Sequence, residues 1–494
     1  MLSDFMIDTF GDLTALLTMI ILAIGALSFP AVQMFVKKHT VTWAYALILV
    51  VLALVVDAIL MVDGIEMEYL GVRLSPYSTF MGLLFLTVLS LVVLVSNASI
   101  ETTRNHSGAY YSLLFGASIG MLFVTSSYDL LTIFVGVELT SISSYALVAL
   151  KRKDGRASEA AVKYAIIGGM STALTLYGIS MVYGVTGSTT IADIAAYVAA
   201  LDDTPWILAI GVLCMLAGYG FKIAAVPFHM WAPDVYEGAS TPVSIFLATA
   251  SKKMGLGVFI QVFLFMFVGA VTAGTIFGET FQYIFAIVAA ITMTVGNVVA
   301  IAQPNIKRML AYSSIAQAGY ILIMMAVMTP NAEAAGLFHM FTHVFMKGGA
   351  FLIVGALICA GVGEKISDYK GLAKRTPVLA FAMMLFLFSL AGIPPLAGFT
   401  SKFFLFASAV GTPGEASGEW VWLAFVAILN SAISLYYYAR VVKAMYIEKG
   451  ECTEKIKVPA MFMVAIAICV VFVIVLGVYP DLIFGFAEAA AGMI

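Results

Sequence analysis

Apolar runs of about twenty residues, each closed by a short joint rich in charged residues, glycine or proline, follow one another from end to end of the chain. As a helix rising about 1.5 Å per residue, each run is long enough to cross roughly 30 Å of hydrocarbon. The alternating ten-residue segments of an outer-membrane barrel are missing from the pattern. About fourteen runs can be drawn, with centres near residues 22, 51, 86, 117, 139, 173, 216, 256, 290, 316, 347, 392, 431 and 469. The pattern therefore predicts an all-α integral membrane protein of about 14 transmembrane helices.

Composition supports this reading: of 494 residues, 62% are hydrophobic and 11% charged, so the solvent is a bilayer. A net charge of −3 offers no basic patch for phosphates and excludes nucleic acid as partner. Cys214, Cys359, Cys452 and Cys469 lie far apart with no CxxC spacing, which points to neither a disulfide framework nor a metal or iron-sulfur site. The opening segment MLSDFMIDTFGD is acidic where a targeting peptide would be basic, so the first span is expected to be retained.

The joints alternate in charge. Lys37, Lys38, Arg104, Lys151, Arg152, Lys153, Arg156, Lys307, Arg308, Lys365, Lys370, Lys374, Arg375, Lys443, Lys449, Lys455 and Lys457 fall in every second joint. The other joints hold only Arg73 among basic residues and are acidic, with Asp63, Glu66, Glu68, Asp193, Asp202, Asp203, Glu279, Glu333, Glu415 and Glu419. The positive-inside rule then puts the basic joints in the cytoplasm and both termini outside.

Seven cations fall inside spans: Lys163, Lys222, Lys252, Lys253, Lys347, Lys402 and Arg440. A charge at the bilayer centre costs at least ~2.5 to 3.5 kcal/mol, which makes intramembrane ionisable residues functional candidates. Glu138 in LLTIFVGVELTSISSYALVAL is read as a proton site or as the partner of a buried lysine, against satisfaction by nearby hydroxyls. Lys222 and Lys252 sit in consecutive spans, and Lys252 is too deep to snorkel easily. Burial disfavours a charged ammonium and a nearby carboxylate favours it, so making and breaking a Glu-Lys contact would switch proton affinity. The alternative is a permanent ion pair joining two helices. Lys253 points about 100° away from Lys252 and is the weaker candidate.

His339, His343 and Lys347 in FHMFTHVFMKGGAF fall at i, i+4 and i+8, on one helical face. No carboxylate accompanies them in HEXXH fashion, so a polar line through the membrane is expected rather than zinc, with a structural hydrogen-bonding role as alternative. Lys163 is explained equally by proton uptake and by snorkelling to the interface, and Gly168 and Gly169 by close helix contact.

Pro227, in YGFKIAAVPFHMW, interrupts the seventh span beside Lys222, and Pro394 and Pro395, in AGIPPLAGFTSKFFLF, interrupt the twelfth before Lys402. Unwound backbone at that depth is tolerated only where it is buried in protein or lines water. Two broken spans, five apart and each with a lysine, are expected of inverted repeats. The chain divides accordingly into three N-terminal helices (1–107), a first repeat of helices 4–8 (108–271), a second of helices 9–13 (272–446) and a last helix (447–494). The break at Pro227 would admit water to Lys222. His229, just past it, is read either as part of proton uptake or as a cap on polar backbone.

KYAIIGGMSTALTLYGISMVYG, KIAAVPFHMWAPDVYEGASTPVSIFLATASKKMG and FSLAGIPPLAGFTSKF resemble the antiporter-like membrane subunits of respiratory complex I and its relatives, most closely the N type, called subunit 2 in mitochondria. The His339, His343 and Lys347 run looks more like the L and M sisters. The resemblance implies fourteen helices with two inverted five-helix repeats and breaks in helices seven and twelve. It further implies that Glu138 and Lys222 are the family's glutamate-lysine pair, Lys252 the connecting lysine and Lys402 the lysine of the second half-channel. Flavin, iron-sulfur clusters and quinone or methanophenazine are then expected on other subunits, and L-, M-, K- and J/A-type subunits as neighbours. The implied location is the cell membrane, with a thylakoid membrane as alternative.

The function expected is proton translocation within a complex that passes electrons from NADH or reduced coenzyme F420 to a quinone or methanophenazine. Protons would leave near Lys402. The rivals are a subunit of a multi-subunit sodium/proton antiporter and a non-conducting scaffold.

Overall fold

The computed structural model of the protein describes all residues except 1–5, 8, 37, 99–105, 152–153, 202, 204, 412–417, 451–453 and 492–494. Lys37, Arg104, Arg152, Lys153, Asp202, Glu415 and Cys452 lie outside the described residues.

Thirteen helices among the described residues are long and apolar enough to cross a membrane. Three come first: Gly11–Phe35, His39–Val62 and Pro76–Ser96. Spans four to eight are Ser107–Ser126, Leu130–Ala149, Gly155–Thr186, Trp206–Ile223 and Thr241–Thr272. Ile276–Ile301, Ile306–Val327 and Pro330–Cys359 follow as spans nine to eleven. Two shorter apolar helices, Pro377–Ala391 and Ala397–Val410, share the twelfth position, and Val421–Tyr446 and Ala460–Val478 complete the set. Thirteen of the expected centres fall inside these helices, and the remaining one, residue 392, falls in the break of the twelfth. The protein is thus a nearly all-helical, multi-pass membrane protein.

Polar caps set where the spans begin. Ser75 and Ser78 form a reciprocal capping box with Pro76 in the first turn of span three. Asp129 accepts from the backbone of Leu131 and Thr132, and Asn305 from that of Lys307 and Arg308. Because Asn305 caps where it does, Lys307 and Arg308 belong to the first turn of span ten, not to the preceding joint. Glu333 is likewise no joint residue: Thr329 caps span eleven ahead of it, and its side chain is 2% exposed.

Span eleven runs through the middle, packed against spans three, eight, ten and fourteen and both halves of twelve. Spans ten and eleven are buried along almost their whole length. A hairpin of β1 (Met67–Tyr69) and β2 (Val72–Leu74), with Met67 opposite Leu74, closes the end where span three starts.

The same irregularities occur twice. Span five begins beside a lone antiparallel bridge, Asp129 to Thr190, and span ten beside another, Asn305 to Lys365. The first half of span seven stops at Ala224 (φ 55°) and that of span twelve at Gly392 (φ 91°). Both positions are left-handed, which glycine tolerates and alanine adopts under constraint. The next amide in each case turns back five residues, Ala225 to the Gly220 carbonyl (2.9 Å) and Ile393 to that of Phe388 (3.0 Å). A cis proline follows each stop, after Val226 and after Pro394.

Candidate functional site

Lys222 occupies the last turn of the first half of span seven and is 5% exposed. The helix stop at Ala224 fixes its height, and its Nζ donates to the Ser141 hydroxyl of span five. The ammonium also lies 5.6 Å from the Tyr145 ring centre and 5.2 Å from that of Phe221, both within cation-π range. Glu138 lines the same narrow cleft as Lys222, Thr172 and Tyr219. Its carboxylate accepts a 2.7 Å hydrogen bond from Thr172. The expected glutamate-lysine pair is therefore brought together but is not in ion-pair contact: Lys222 is turned to a hydroxyl one helical turn away.

Small residues allow this crowding. Spans six and seven meet backbone to backbone, with the Ser171 hydroxyl donating to the Gly218 carbonyl at 2.5 Å. A Cβ at Gly168 would lie 1.9 Å from the Tyr145 hydroxyl, so Gly168 serves the contact expected of it. Gly169 does not, since a Cβ there would meet nothing within 4 Å.

Lys252 follows directly on a π-helical turn, Leu247–Ser251, in span eight. It is 1% exposed and its Nζ has no protein partner. Such turns widen a helix locally and are frequent at functional sites. Lys253 is equally buried, so the rotation between the two lysines does not turn it to lipid.

The face of span eleven carrying His339, His343 and Lys347 meets span ten. His339 Nε2 pairs with Gln317 Oε1 (3.0 Å) and Nδ1 with the Ser401 hydroxyl (2.8 Å). The Gln317 amide N–H donates to the Leu390 carbonyl (3.1 Å), which leaves its oxygen as acceptor and puts the His339 proton on Nε2. Lys347 Nζ donates to the Leu310 carbonyl (3.0 Å) and the Ser313 hydroxyl (2.5 Å), and Ser313 shares a further hydrogen bond with Tyr438. Between them, 6.3 Å from the His339 ring, neither nitrogen of His343 has a protein partner.

Lys402 sits just past the break in span twelve. Its Nζ donates to the Leu390 carbonyl (2.8 Å) and the Ser431 hydroxyl (3.0 Å) and lies 4.6 Å from the Tyr320 ring centre. The Leu390 carbonyl, freed by the break, is thus shared by Lys402 and Gln317. Through it His339 and Lys402 belong to one hydrogen-bonded chain.

Lys163 stands apart from this line. It pairs with Glu159 (2.7 Å) and Asp234 (2.8 Å) in a half-exposed cluster. There Arg308 binds Asp234 (2.6 Å) and Glu237 (2.9 Å), and Lys307 binds Glu364 (2.8 Å). Burial alone would raise the Asp234 carboxyl, but its bonds to Lys163 and Arg308 outweigh that and hold it below the usual carboxylate range. The cluster ties the short helix Trp231–Gly238, which follows the break in span seven, to spans six and ten. His229 is 9% exposed, stands 6.5 Å from the Tyr312 ring and has an unpartnered Nδ1.

Sequence reasoning missed Asp57, Gln317, and the Asp234 and Glu237 clamp. Asp57 is 4% exposed in span two, its Oδ2 unpartnered and its carboxylate against Gly82, where a Cβ would come within 2.7 Å. As a carboxylate in the run LILVVLALVVDAILMV it carried the same signal as Glu138. No group of three or more His, Cys, Asp or Glu among the described residues could hold a metal ion.

Two broken helices in a bundle strung with buried lysines and histidines define a polytopic membrane protein of the antiporter-like class. More particularly, the chain belongs to the family described as NADH:quinone oxidoreductase/Mrp antiporter, TM, which matches residues 127–434. It is 42% identical over 439 residues to F(420)H(2) dehydrogenase subunit N of Methanosarcina mazei, covering 86% of each chain. To NADH-quinone oxidoreductase subunit N of Heliobacterium modesticaldum it is 43% identical over 419 residues, covering 85% of each. Among solved structures, a chain of respiratory complex I from Thermus thermophilus superposes with a TM-score of 0.79 at 28% identity, over 95% of this chain and 98% of that one. A chain of the Mrp complex from a Dietzia species, at 20% identity, shares the fold with a TM-score of 0.81 over 97% of both. The N-type resemblance read from the three motifs agrees with the named relatives.

Proposed function

We propose that this chain is a proton-translocating membrane subunit of a redox-driven complex, in which electrons pass from NADH or reduced coenzyme F420 to a quinone or methanophenazine. The observation that carries the reading is the buried polar line itself. Half-buried Glu138 and the buried Lys222, Lys252, His343, His339 and Lys402 are carried in turn on spans five, seven, eight, eleven and twelve. Lys252 and both nitrogens of His343 lack protein partners. Buried polar groups without partners are served by water. A line of titratable side chains bridged by such water moves protons, and the cavity of about 470 Å³ at its Lys402 end is walled mainly by apolar side chains, among them Phe399, Phe403 and Phe406.

The names of the N-type relatives support membership of an oxidoreductase complex. On this reading flavin, iron-sulfur clusters and the electron acceptor belong to other subunits, and the neighbours are of L, M, K and J/A type. The alternation of basic joints supports a cytoplasmic location for them, in a cell membrane with both termini outside. The repeated bridges and helix stops support two inverted repeats, 108–271 and 272–446. The open Glu138 to Lys222 geometry supports a contact made and broken during turnover.

The test is Lys222→Met in the assembled complex, reconstituted in vesicles. Proton transport coupled to electron flow should be abolished, and an unchanged proton-to-electron ratio would sink the assignment. Purification with flavin and iron-sulfur subunits separates this reading from a sodium/proton antiporter subunit.

A further inference from the structure

The proposed line needs an outlet. Lys402 opens on a cavity of about 470 Å³, but apart from its ammonium and the Ser431 hydroxyl the side chains that line it, Phe399, Phe403, Phe406, Ala407, Val410 and Ile428, are apolar and relay no proton. Beyond Lys402 span twelve continues toward Val410 as FFLFASAV, whose one hydroxyl, Ser408, bonds back to the Leu405 carbonyl at 2.8 Å. No polar side chain carries on from the ammonium in that direction along the helix.

A second group of buried polar atoms lies elsewhere, where spans three, five and eleven begin. Glu333, in the first turn of span eleven, is 2% exposed and its Oε2 has no protein partner. Spans three and eleven pack together, with the Phe80 and Phe341 rings 5.8 Å apart, which sets Tyr77 in the first turn of span three and Tyr128 in the joint before span five at the same end of the fold as Glu333. Tyr128 has an unpartnered hydroxyl, and so has Gln261 an unpartnered Oε1, on the second π-helical turn of span eight (Phe259–Leu264). The Gln261 amide is fixed by the carbonyls of Thr125 (3.3 Å) and Ser127 (3.1 Å), which directs its free oxygen. Arg73, half-buried in β2, lies 5.3 Å from the Tyr128 ring centre and joins the group to the surface.

Polar steps connect this group to the centre. The fully buried Tyr77 hydroxyl donates to the Gly257 carbonyl (3.2 Å), and Gly257 is five residues, about 7.5 Å of helix, from Lys252. Glu333 is six residues, about 9 Å, from His339 on the same helix.

We propose that Glu333, at the end of the fold that also carries Tyr77, Tyr128, Gln261 and Arg73, is the group through which the central polar line releases protons to the outer face. The assignment rests on the proton-translocating reading and moves the outlet away from Lys402. It also gives span three, outside both proposed repeats, a part in transport through Tyr77. A carboxyl at this point takes a proton from the chain of hydroxyls and waters behind it and passes it to water beside Tyr128 and Arg73; nothing is oxidised or reduced.

The experiment compares the whole complex in vesicles with Lys222→Met, Glu333→Gln, Glu333→Asp and Tyr77→Phe. Glu333→Gln should lower coupled proton release at least about tenfold at an unchanged yield of assembled complex, and Glu333→Asp should restore most of it. The infrared carboxyl signal lost in Glu333→Gln should appear in the difference spectrum between working and resting wild-type complex, because a releasing group changes protonation during turnover and a purely structural carboxyl does not. If Lys222→Met stops transport while Glu333→Gln and Tyr77→Phe run at the wild-type rate, the outlet is wrong and the function stands. If Lys222→Met transports normally, the function itself fails. Should Glu333→Gln not assemble, Tyr77→Phe decides, with a loss of at least about threefold supporting the outlet and the wild-type rate overturning it.

Discussion

Lys222 gives its hydrogen bond to Ser141, not to Glu138, although lysine and glutamate line one cleft. Glu138 is occupied by Thr172 at 2.7 Å. Each charge is thus held by a hydroxyl, and the hydroxyls compete with the ion pair. Ser141→Ala would leave a buried ammonium short of an acceptor, at about 1–3 kcal/mol, and favour the Glu138 contact. The expected result is a less heat-stable complex with slower but still coupled transport, measured by thermal unfolding and vesicle acidification. A variant with wild-type values for both would mean that Ser141 is not the resting partner of Lys222.

Gln317 sets the state of His339, because its amide N–H is committed to the Leu390 carbonyl and its oxygen must accept. Gln317→Leu keeps the bulk but removes both bonds. His339 then loses its fixed tautomer, and Lys402 loses the group with which it shares that carbonyl. Coupled transport should fall by roughly tenfold, about 1.4 kcal/mol on the barrier, while Gln317→Glu, which retains an acceptor, should retain more. Equal losses in both variants would assign Gln317 to packing alone.

Much of this was legible in the sequence because lipid makes charge conspicuous. Lys222, Lys252 and Lys402 stand out in apolar runs, and all three are buried at 5% exposure or less. The prolines gave the breaks for the same reason: a stop inside a span has no loop to explain it. What the sequence hid was pairing. Nothing in the spacing says that Lys222 prefers Ser141 to Glu138, since that depends on how spans five and seven rotate against each other. Glu333 read as a joint residue because hydropathy does not mark the cap at Thr329, and Lys163 kept two readings until Asp234, 71 residues on, came within 2.8 Å.

The clamp on the helix after the first break makes a prediction in pH and salt. Lys163 and Arg308 hold the Asp234 carboxyl below its ordinary range. A group whose folded value is depressed stabilises above its unfolded value, near 3.8 to 4, and loses that contribution as pH falls through the folded one. The clamp should therefore be indifferent to pH between about 5 and 8 and give way only in stronger acid. With side chains 29% to 43% exposed, these pairs are open to screening, so high salt should loosen them. Hydrogen-exchange protection factors, which remove the base-catalysed rise of intrinsic exchange with pH, should fall in Trp231–Gly238 with salt and in Asp234→Ala, but not between those pH values. A fall in protection across neutral pH would contradict the assignment of the clamp to Asp234.

The packing of spans six and seven can be separated from their chemistry with two glycines. A Cβ at Gly218 would lie 2.0 Å from Thr175 Oγ1 and 2.8 Å from the Ser171 carbonyl, so the helices must part to admit it. Overpacking of this kind costs about 1–3 kcal/mol. Lys222 is one helical turn beyond Gly218, and parting the helices withdraws its ammonium from Ser141 and widens the Glu138 cleft. Gly169 faces open space, and alanine there should be neutral or stabilise by up to about 1 kcal/mol through backbone entropy. Gly218→Ala is thus expected to lose both heat stability and coupling while keeping every titratable group, and Gly169→Ala to lose neither. If Gly218→Ala destabilised the complex yet left coupling intact, the height and direction of Lys222 would not matter to transport, and the cleft would have to be read as a structural contact.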